Sequence, residues 1–417
     1  MLQSKLLILL KALNRKEKAL LNRFVNSPVY NQHKEVIALS NYLLSLQDFT
    51  ERNTSKQRVY AHLFPKSKYD DLRLRHVCSY LLQVCESCLG FIEYQNNAEQ
   101  HQLNLLSAYR KHALQKHFVN DFLLVEKSTL VESKKNTNYF LYHSKIFHEA
   151  QFSGYYERLN SLDYLKKSDE NLTLFIVLNK LKNGCYLLSS ATANTTPKPV
   201  FIEEALSFAE QYDLNKLPIL DCYYCAYRAF EYPDQRPFFT LFKDKIASLA
   251  VTIEHEELKE MLGLAVRFCE RRIEEGASVF ERDLFEIYLL GLANEAFIEN
   301  EKLGYSFQKK IIDLGLRLSE YEWVLAFINE CNAINEKALK EDIFLLHTAK
   351  LHFAQSTISD CLQKLSRLSN QSLELQIEAQ KLVVKSYENL KDSKQEKLAN
   401  QQLKQLIKKA AVNYEDT

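Results

Sequence analysis

Glycine and proline are both scarce in this sequence, which has eight glycines and seven prolines among 417 residues. Proteins usually contain roughly 7% glycine and 5% proline. Tight β-hairpins need residues that accept a positive φ, and glycine is the main residue that does so. The composition therefore disfavours a fold built on many hairpins. The abundance of leucine, lysine, glutamate, glutamine and alanine favours helices instead, and we predict an all-α protein.

Long apolar runs are also missing. The longest, Leu6–Leu10 and Leu172–Leu178, are far shorter than the roughly 20 residues that a membrane-spanning helix needs. Lys11 also ends the first run below the length of a signal-peptide core. We therefore expect no interaction with membranes and a cytoplasmic location. The nine irregularly spaced cysteines agree with reduced thiols on apolar helix faces.

Sequence motifs for phosphate, nucleophile or zinc chemistry are lacking. The glycines never cluster, so the sequence contains neither a P-loop motif nor a dinucleotide-binding motif. It also lacks the Gly-x-Ser-x-Gly motif. Two Cys-x2-Cys pairs, Cys85/Cys88 and Cys222/Cys225, lie within apolar helical patterns. Such patterns are more typical of buried thiols than of zinc ligands. We predict no catalytic residue, no metal site and no cofactor.

Six of the histidines form pairs with a spacing of five residues: His112/His117, His143/His148 and His347/His352. Five residues turn about 140° around a helix, so the two rings of a pair do not share a face. Zinc-binding pairs on helices are instead four residues apart. We interpret all six as partly exposed imidazoles on helix surfaces.

The net charge of +1 hides an uneven distribution along the chain. Residues 1–90 contain 14 Lys/Arg and 7 Asp/Glu, a net charge of +7. Residues 200–301 contain 10 Lys/Arg and 21 Asp/Glu, a net charge of −11. Such regions are usually solvated helix faces, but they also attract partners of the opposite charge. We expect binding to the acidic region, where it occurs, to favour a basic ligand and to weaken with salt.

The segment Leu314–Asn389 contains short helical patterns whose apolar stripes are too narrow to be buried by one helix alone. The first stripe consists of Trp323, Val324, Phe327, Ile328 and Cys331. The second has the pattern Ala349-x3-Phe353-x2-Ser356, which recurs thirty residues later as Ala-x3-Val-x2-Ser from Ala379 to Ser386. Small residues at these positions allow neighbouring helices to approach closely. The pattern predicts stacked helical hairpins that share one core.

Breaks in the helical patterns divide the chain into three regions. Residues 1–95 are predicted to form a compact basic module, residues 96–190 the first helical hairpins, and residues 200–411 a tetratricopeptide-like array. The small, polar segment Ser189–Pro199 is the predicted linker. Trp323 lacks the glycine and tyrosine of the strict tetratricopeptide consensus. The predicted fold is therefore an α-solenoid of degenerate tetratricopeptide-like hairpins with a compact helical module before it.

Three stretches resemble an uncharacterised family of bacterial helical-repeat proteins. They are Phe24–Asn31 (FVNSPVYN), Tyr69–Leu82 (YDDLRLRHVCSYLL) and Leu314–Glu330 (LGLRLSEYEWVLAFINE). The resemblance extends over most of the chain and is weakest after Asn389. It implies an α-helical repeat fold and carries no established activity or site residues.

Two charged clusters are candidate partner surfaces. The basic cluster lies around the helix–loop–helix Lys56–Leu89 and consists of Lys56, Arg58, Lys66, Lys68, Arg73 and Arg75. A helix with arginines in its first turn can enter a DNA major groove. Against this, the loop Phe64–Asp70 is longer than a helix-turn-helix turn, and Asp70 and Asp71 would repel phosphates. The same cations could instead contact an acidic protein.

The acidic cluster consists of Glu254, Glu256, Glu257 and Glu260. These carboxylates either present one face to a partner or form a solvated helix start. Helical repeats commonly bind peptides or domains on one long surface. We therefore predict a non-enzymatic protein–protein interaction scaffold or adaptor with a protein or peptide partner. The alternative is a nucleic-acid-binding regulator that acts through the basic N-terminal module.

Overall fold

The computed structural model describes residues 4–131, 136–152, 161–190, 199–298, 303–334, 340–369 and 372–415. Within these ranges there are twenty α-helices, one 3₁₀ turn at Leu214–Lys216 and no strand, which confirms the all-α prediction. None of the helices in these ranges combines the length and apolarity needed to cross a membrane.

The chain forms two compact units. One contains Met1–Leu130 and Tyr142–Asp169, and the other contains Val131–Leu141 and Glu170–Thr417. Most of the predicted linker at residues 189–199 lies outside the described residues. The predicted divisions after residues 95 and 190 stay predictions.

The first unit contains seven helices and parts of two more. They are α1 (Lys5–Ala12), α2 (Arg15–Val25), α3 (Lys34–Leu44), α4 (Lys56–Leu63), α5 (Asp71–Asn96), α6 (Ala98–Lys111), α7 (Gln115–Val131), and the portions of α8 (Thr137–Gln151) and α9 (Ser161–Ser189) between Tyr142 and Asp169. Leu7, Leu39 and Val59 are fully buried in a core that α1–α5 share. A second core packs Phe118 and Phe122 of α7 against Ile146 and other residues of α8.

Local side-chain caps explain where two of these helices begin. The Asn14 side chain accepts hydrogen bonds from the amides of Lys16 and Glu17, at 2.9 and 3.0 Å, and the Glu17 carboxylate accepts one from the Asn14 amide at 2.8 Å. This capping box stabilises the start of α2 because it satisfies amides that have no partner inside the helix. The carboxylate of Asp70 caps α5 by accepting from the Arg73 amide at 3.1 Å.

The second unit continues with eleven further helices. They are α10 (Ile202–Gln211), α11 (Pro218–Glu231), α12 (Arg236–Leu249), α13 (His255–Glu274), α14 (Phe280–Ala293), α15 (Tyr305–Arg317), α16 (Tyr321–Ile334), α17 (Lys340–Ala354), α18 (Ile358–Leu365), α19 (Leu373–Asn389) and α20 (Ser393–Glu415). Consecutive helices pack as hairpins: α11 with α12, α13 with α14, α15 with α16, α17 with α18, and α19 with α20. The first helix of a hairpin also packs on the first helix of the next, as α15 does on α17 and α17 on α19.

Close approach inside this unit depends on glycine at some helix crossings. A Cβ atom at Gly315 of α15 would lie 2.7 Å from Val324 of α16 and 3.3 Å from the ring of Phe285 in α14. A Cβ at Gly184 of α9 would lie 2.7 Å from the ring of Tyr227 in α11. A larger residue at either position would push the helices apart.

The segment Leu314–Asn389 differs from its prediction at one turn. Ser356 was expected on the apolar face of the second helix, but α17 ends at Ala354 and Ser356 has a φ of 63°. The amide of Thr357 donates to the carbonyl of His352 at 2.9 Å, which closes the turn. A separate helix, α18, follows immediately. Its counterpart in the repeated pattern, Ser386, is fully buried in α19 as expected.

Candidate functional site

Some cations of the basic cluster on α4 and α5 interact with other residues of the same module. Lys56 and Arg75 both pair with Asp71, at 2.9 and 2.6 Å, and the hydrogen bonds from Lys56 and Tyr69 lower the pKa of Asp71 to about 2. The guanidinium of Arg73 lies 3.8 Å from the centre of the Phe64 ring. Half of the six predicted cations therefore have partners on the module.

The other three cations, Arg58, Lys66 and Lys68, are exposed and form no ion pair within the described part of the chain. We refer to them as the unpaired basic trio. They are the residues of this cluster that remain available to an anionic partner.

The acidic cluster does not form one solvated face. Glu257 is buried, with 7% of its surface exposed, and accepts hydrogen bonds from the Tyr223 hydroxyl and, at 3.4 Å, from Thr137. Lys182 of α9 lies 3.5 Å from the same carboxylate and also pairs with Glu260. The interpretation of a solvated helix start is thus wrong for Glu257, because this turn of α13 packs on α9 and α11.

The remaining two glutamates of the cluster differ from each other. Glu254 accepts a hydrogen bond from Asn136, which precedes α8, whereas the Glu256 side chain is 84% exposed. Three of the four predicted carboxylates therefore bind neighbouring segments of the protein. Their role as a partner surface stays a prediction.

The cysteine pairs and the aromatic residues of α11 belong to the core. Cys85, Cys88, Cys222 and Cys225 are all buried, and burial raises the pKa of the Cys225 thiol to about 12. Tyr223, Tyr227 and Phe230 are buried with them, whereas Tyr224 of the same helix is partly exposed. Among the described residues, no group of three or more His, Cys, Asp or Glu side chains has a geometry that could hold a metal ion.

Two histidines lie in the interior, which contradicts their interpretation as surface imidazoles. His143 is 2% exposed and His347 is 1% exposed. Both ring nitrogens of His347 are buried without a hydrogen-bond partner. Burial, assisted by the charge of Lys350, lowers the pKa of His347 to about 3, so this imidazole is neutral at physiological pH.

A groove that the sequence did not reveal lies across the first helices of three successive hairpins, α15, α17 and α19. Its volume is about 600 Å³. Thirteen residues line it: Lys309, Asp313, Leu316, Arg317, Lys350, Phe353, Ala354, Glu374, Ile377, Glu378, Lys381, Leu382 and Lys385. We call it the α15–α17–α19 groove.

Ion pairs across the middle of this groove hold its three helices together. Lys350 of α17 pairs with Asp313 of α15 at 2.9 Å and with Glu378 of α19. Glu378 also accepts from Lys309, at 2.9 Å, and from the hydroxyl of Tyr305, at 3.0 Å. Burial opposes the charge on Glu378, but Lys350 and Lys309 outweigh it and hold the pKa of the carboxyl below its usual range.

One helical turn beyond these ion pairs, the groove becomes apolar and then basic. Phe353 and Ala354 follow Lys350 on α17, and Leu382 follows Glu378 on α19. Lys381 and Lys385 are exposed on the same stretch of α19 and form no ion pair within the described residues. The groove thus combines an apolar floor with two unpaired cations at one end.

Part of the groove lining can be recognised in the sequence from the spacing of residues on α19. Ile377, Lys381 and Lys385 recur every four residues, so they share a face of α19. The buried face of the same helix consists of Leu375, Ala379, Leu382 and Ser386. Leu382 also lines the groove, so the two faces adjoin each other at this residue.

Comparison of the chain with protein-family models, with curated proteins and with solved structures finds no match in any of the three.

Proposed function

We propose that the protein is a non-enzymatic interaction scaffold or adaptor that binds a protein or peptide partner in the α15–α17–α19 groove. The observation that carries this proposal is the groove itself, which crosses three successive hairpins and has an apolar floor. Stacked helical repeats typically bind their ligands on such extended surfaces. We further propose that the hairpins of the second unit continue as a tetratricopeptide-like α-solenoid of the resembled bacterial family.

The chemistry of the groove supports binding rather than catalysis. None of the described residues that line it carries a hydroxyl, thiol or imidazole group. Its central lysines and carboxylates pair with one another, so these charges hold the helices in place. Partner binding would bury the apolar floor, which supplies the favourable free energy of association.

Nucleic-acid binding through the basic module is the second candidate function. It is favoured by the unpaired basic trio, which remains exposed on α4 and the loop after it. It is weakened by the internal partners of the other three cations, since a cation paired with Asp71 contributes less to a phosphate contact.

A selection of random peptides of about twelve residues, displayed on phage against the full-length protein, tests the proposal. The decisive variant is Ala354→Glu, which places a long charged side chain on the groove floor. The control is Ala98→Glu, at an exposed position in the first turn of α6. Circular dichroism should give the same helix content for both variants and the wild type.

We expect the selected peptides to bind the wild type and the Ala98→Glu control and to lose affinity for Ala354→Glu. Peptides that bind all three proteins equally would place recognition outside the groove. That result would refute the proposed binding surface.

A further inference from the structure

The α15–α17–α19 groove has a charge that a ligand must match. Five cationic and three acidic side chains line it. Asp313 and Glu378 are already covered by Lys309 and Lys350, so these four residues present little net charge to a ligand. Arg317 has a partner in Glu281 at 2.9 Å.

Three lining charges remain unpaired within the described residues, and they are separated along α19. Glu374 lies at one end of the groove, and Lys381 and Lys385 lie two to three turns further on. Seven residues of α-helix correspond to about 10 Å, a distance comparable to the Debye length in physiological salt. The basic end therefore acts on a ligand largely independently of Glu374.

The floor beside the two lysines is apolar. Leu316, Phe353, Ala354 and Leu382 lie there, one turn beyond the central ion pairs. A ligand that fills this end must place an apolar group on the floor and an anionic group against Lys381 and Lys385. A purely polar anion would leave the floor exposed, and an apolar ligand would leave the lysines unpaired.

The dimensions of the groove favour a peptide. Axes of packed helices are about 8–10 Å apart, so three adjacent helices span roughly 16–20 Å. An extended peptide rises about 3.3 Å per residue, and five or six residues cover this distance. We infer that the α15–α17–α19 groove binds an acidic peptide segment in which leucine-like residues adjoin glutamate or aspartate. This inference rests on the proposed function.

The test uses three fluorescent peptides of equal length with the full-length protein: leucines followed by glutamates, leucines followed by lysines, and serines followed by glutamates. Fluorescence anisotropy measures their affinities at about 0.05 M and about 0.5 M salt. We expect the leucine–glutamate peptide to bind at least about tenfold more tightly than the other two, and to weaken at high salt.

A charge-reversed pair of variants assigns the anion contact. Lys381→Glu with Lys385→Glu should lower the affinity for the leucine–glutamate peptide by about tenfold or more, because attraction becomes repulsion. The matched control is Lys404→Glu with Lys408→Glu, which reverses two exposed lysines with the same spacing on α20. The control should stay within about twofold of the wild type.

The outcomes separate this inference from the proposed function. If the leucine–lysine peptide binds most tightly and Ala354→Glu abolishes its binding, the acidic specificity is overturned. The proposed function as an interaction scaffold would still hold. Equal losses in the two charge-reversed variants would overturn the assigned contact, since net charge alone would then explain them. If Ala354→Glu weakens the binding of none of the peptides, both the proposed function and the acidic specificity are overturned.

Discussion

Replacing Gly315 with alanine should destabilise the second unit, although the same change stabilises most helices. The added Cβ would lie 2.7 Å from Cγ2 of Val324 and 3.3 Å from Cε2 of Phe285. These neighbours are 0% and 2% exposed, so neither can move into solvent. The helices α14, α15 and α16 would have to shift to accommodate one methyl group.

The expected magnitude follows from two opposing effects. Overpacking a closed core costs about 1–3 kcal/mol, and replacing a glycine inside a helix by alanine gains about 0.5–1 kcal/mol. Gly315→Ala should therefore lower the free energy of unfolding by up to about 2.5 kcal/mol. The control, Gly263→Ala, has no atom within 4 Å of its new Cβ in α13. It should raise the free energy by about 0.5–1 kcal/mol.

Urea denaturation followed by tryptophan fluorescence measures this difference. Trp323 is the single tryptophan of the chain, and its ring packs against Phe285 at 5.0 Å and Phe327 at 4.8 Å. It therefore reports on the unit that contains both glycines. A Gly315→Ala protein as stable as Gly263→Ala would show that the three helices do not approach as closely as described.

Three further predictions concern buried polar groups and the basic module. His347→Leu should raise the free energy of unfolding by about 1 kcal/mol at pH 7, because the imidazole is buried without hydrogen bonds. Its pKa of about 3 lies below the unfolded value of about 6.5, so the unfolded chain binds the extra proton. Wild-type stability should therefore fall as the pH drops from about 6.5 to about 5, and urea titrations of the variant should show a smaller fall. Tyr223→Phe should cost about 1–3 kcal/mol by removing a donor from the buried Glu257. Tyr224→Phe, which leaves the exposed Glu210 paired with Arg228, should cost under about 0.5 kcal/mol in the same assay. In gel-shift titrations at low salt we expect no sub-micromolar binding of duplex DNA or RNA; such binding, lost on charge reversal of the unpaired basic trio, would establish the nucleic-acid alternative.

Helix positions were predictable wherever a local signal specified them. The residues Asn14 and Glu17 mark the start of α2 because a capping box involves only neighbouring residues. The end of α17 was missed because Ser356 continues the apolar spacing through a turn. Ser356 has a φ of 63°, and a serine does not indicate a left-handed backbone conformation in the sequence as a glycine would.

The site was less predictable because it depends on which helices become neighbours. Glu257 belongs to an acidic run that is typical of exposed helix starts, yet Tyr223 and Lys182 enclose it from other helices. The groove likewise requires that α15, α17 and α19 lie side by side. The amphipathic pattern of one helix specifies which face is buried and leaves open which helix covers that face.

The carboxylate of Glu378 links two hairpins that are not consecutive in the chain. In a simple repeat array each hairpin contacts only its neighbours, so protection from hydrogen exchange declines toward the end of the chain. Here α19 is bound directly to Tyr305 and Lys309 of α15, which belongs to the next hairpin but one. If α19 opened, the half-buried carboxylate of Glu378 would lose its hydrogen bonds from Tyr305 and Lys309 and its ion pair with Lys350. The amides of α15, α17 and α19 should therefore exchange as one cooperative unit, with a sharp boundary after Asn389 instead of a gradual decline.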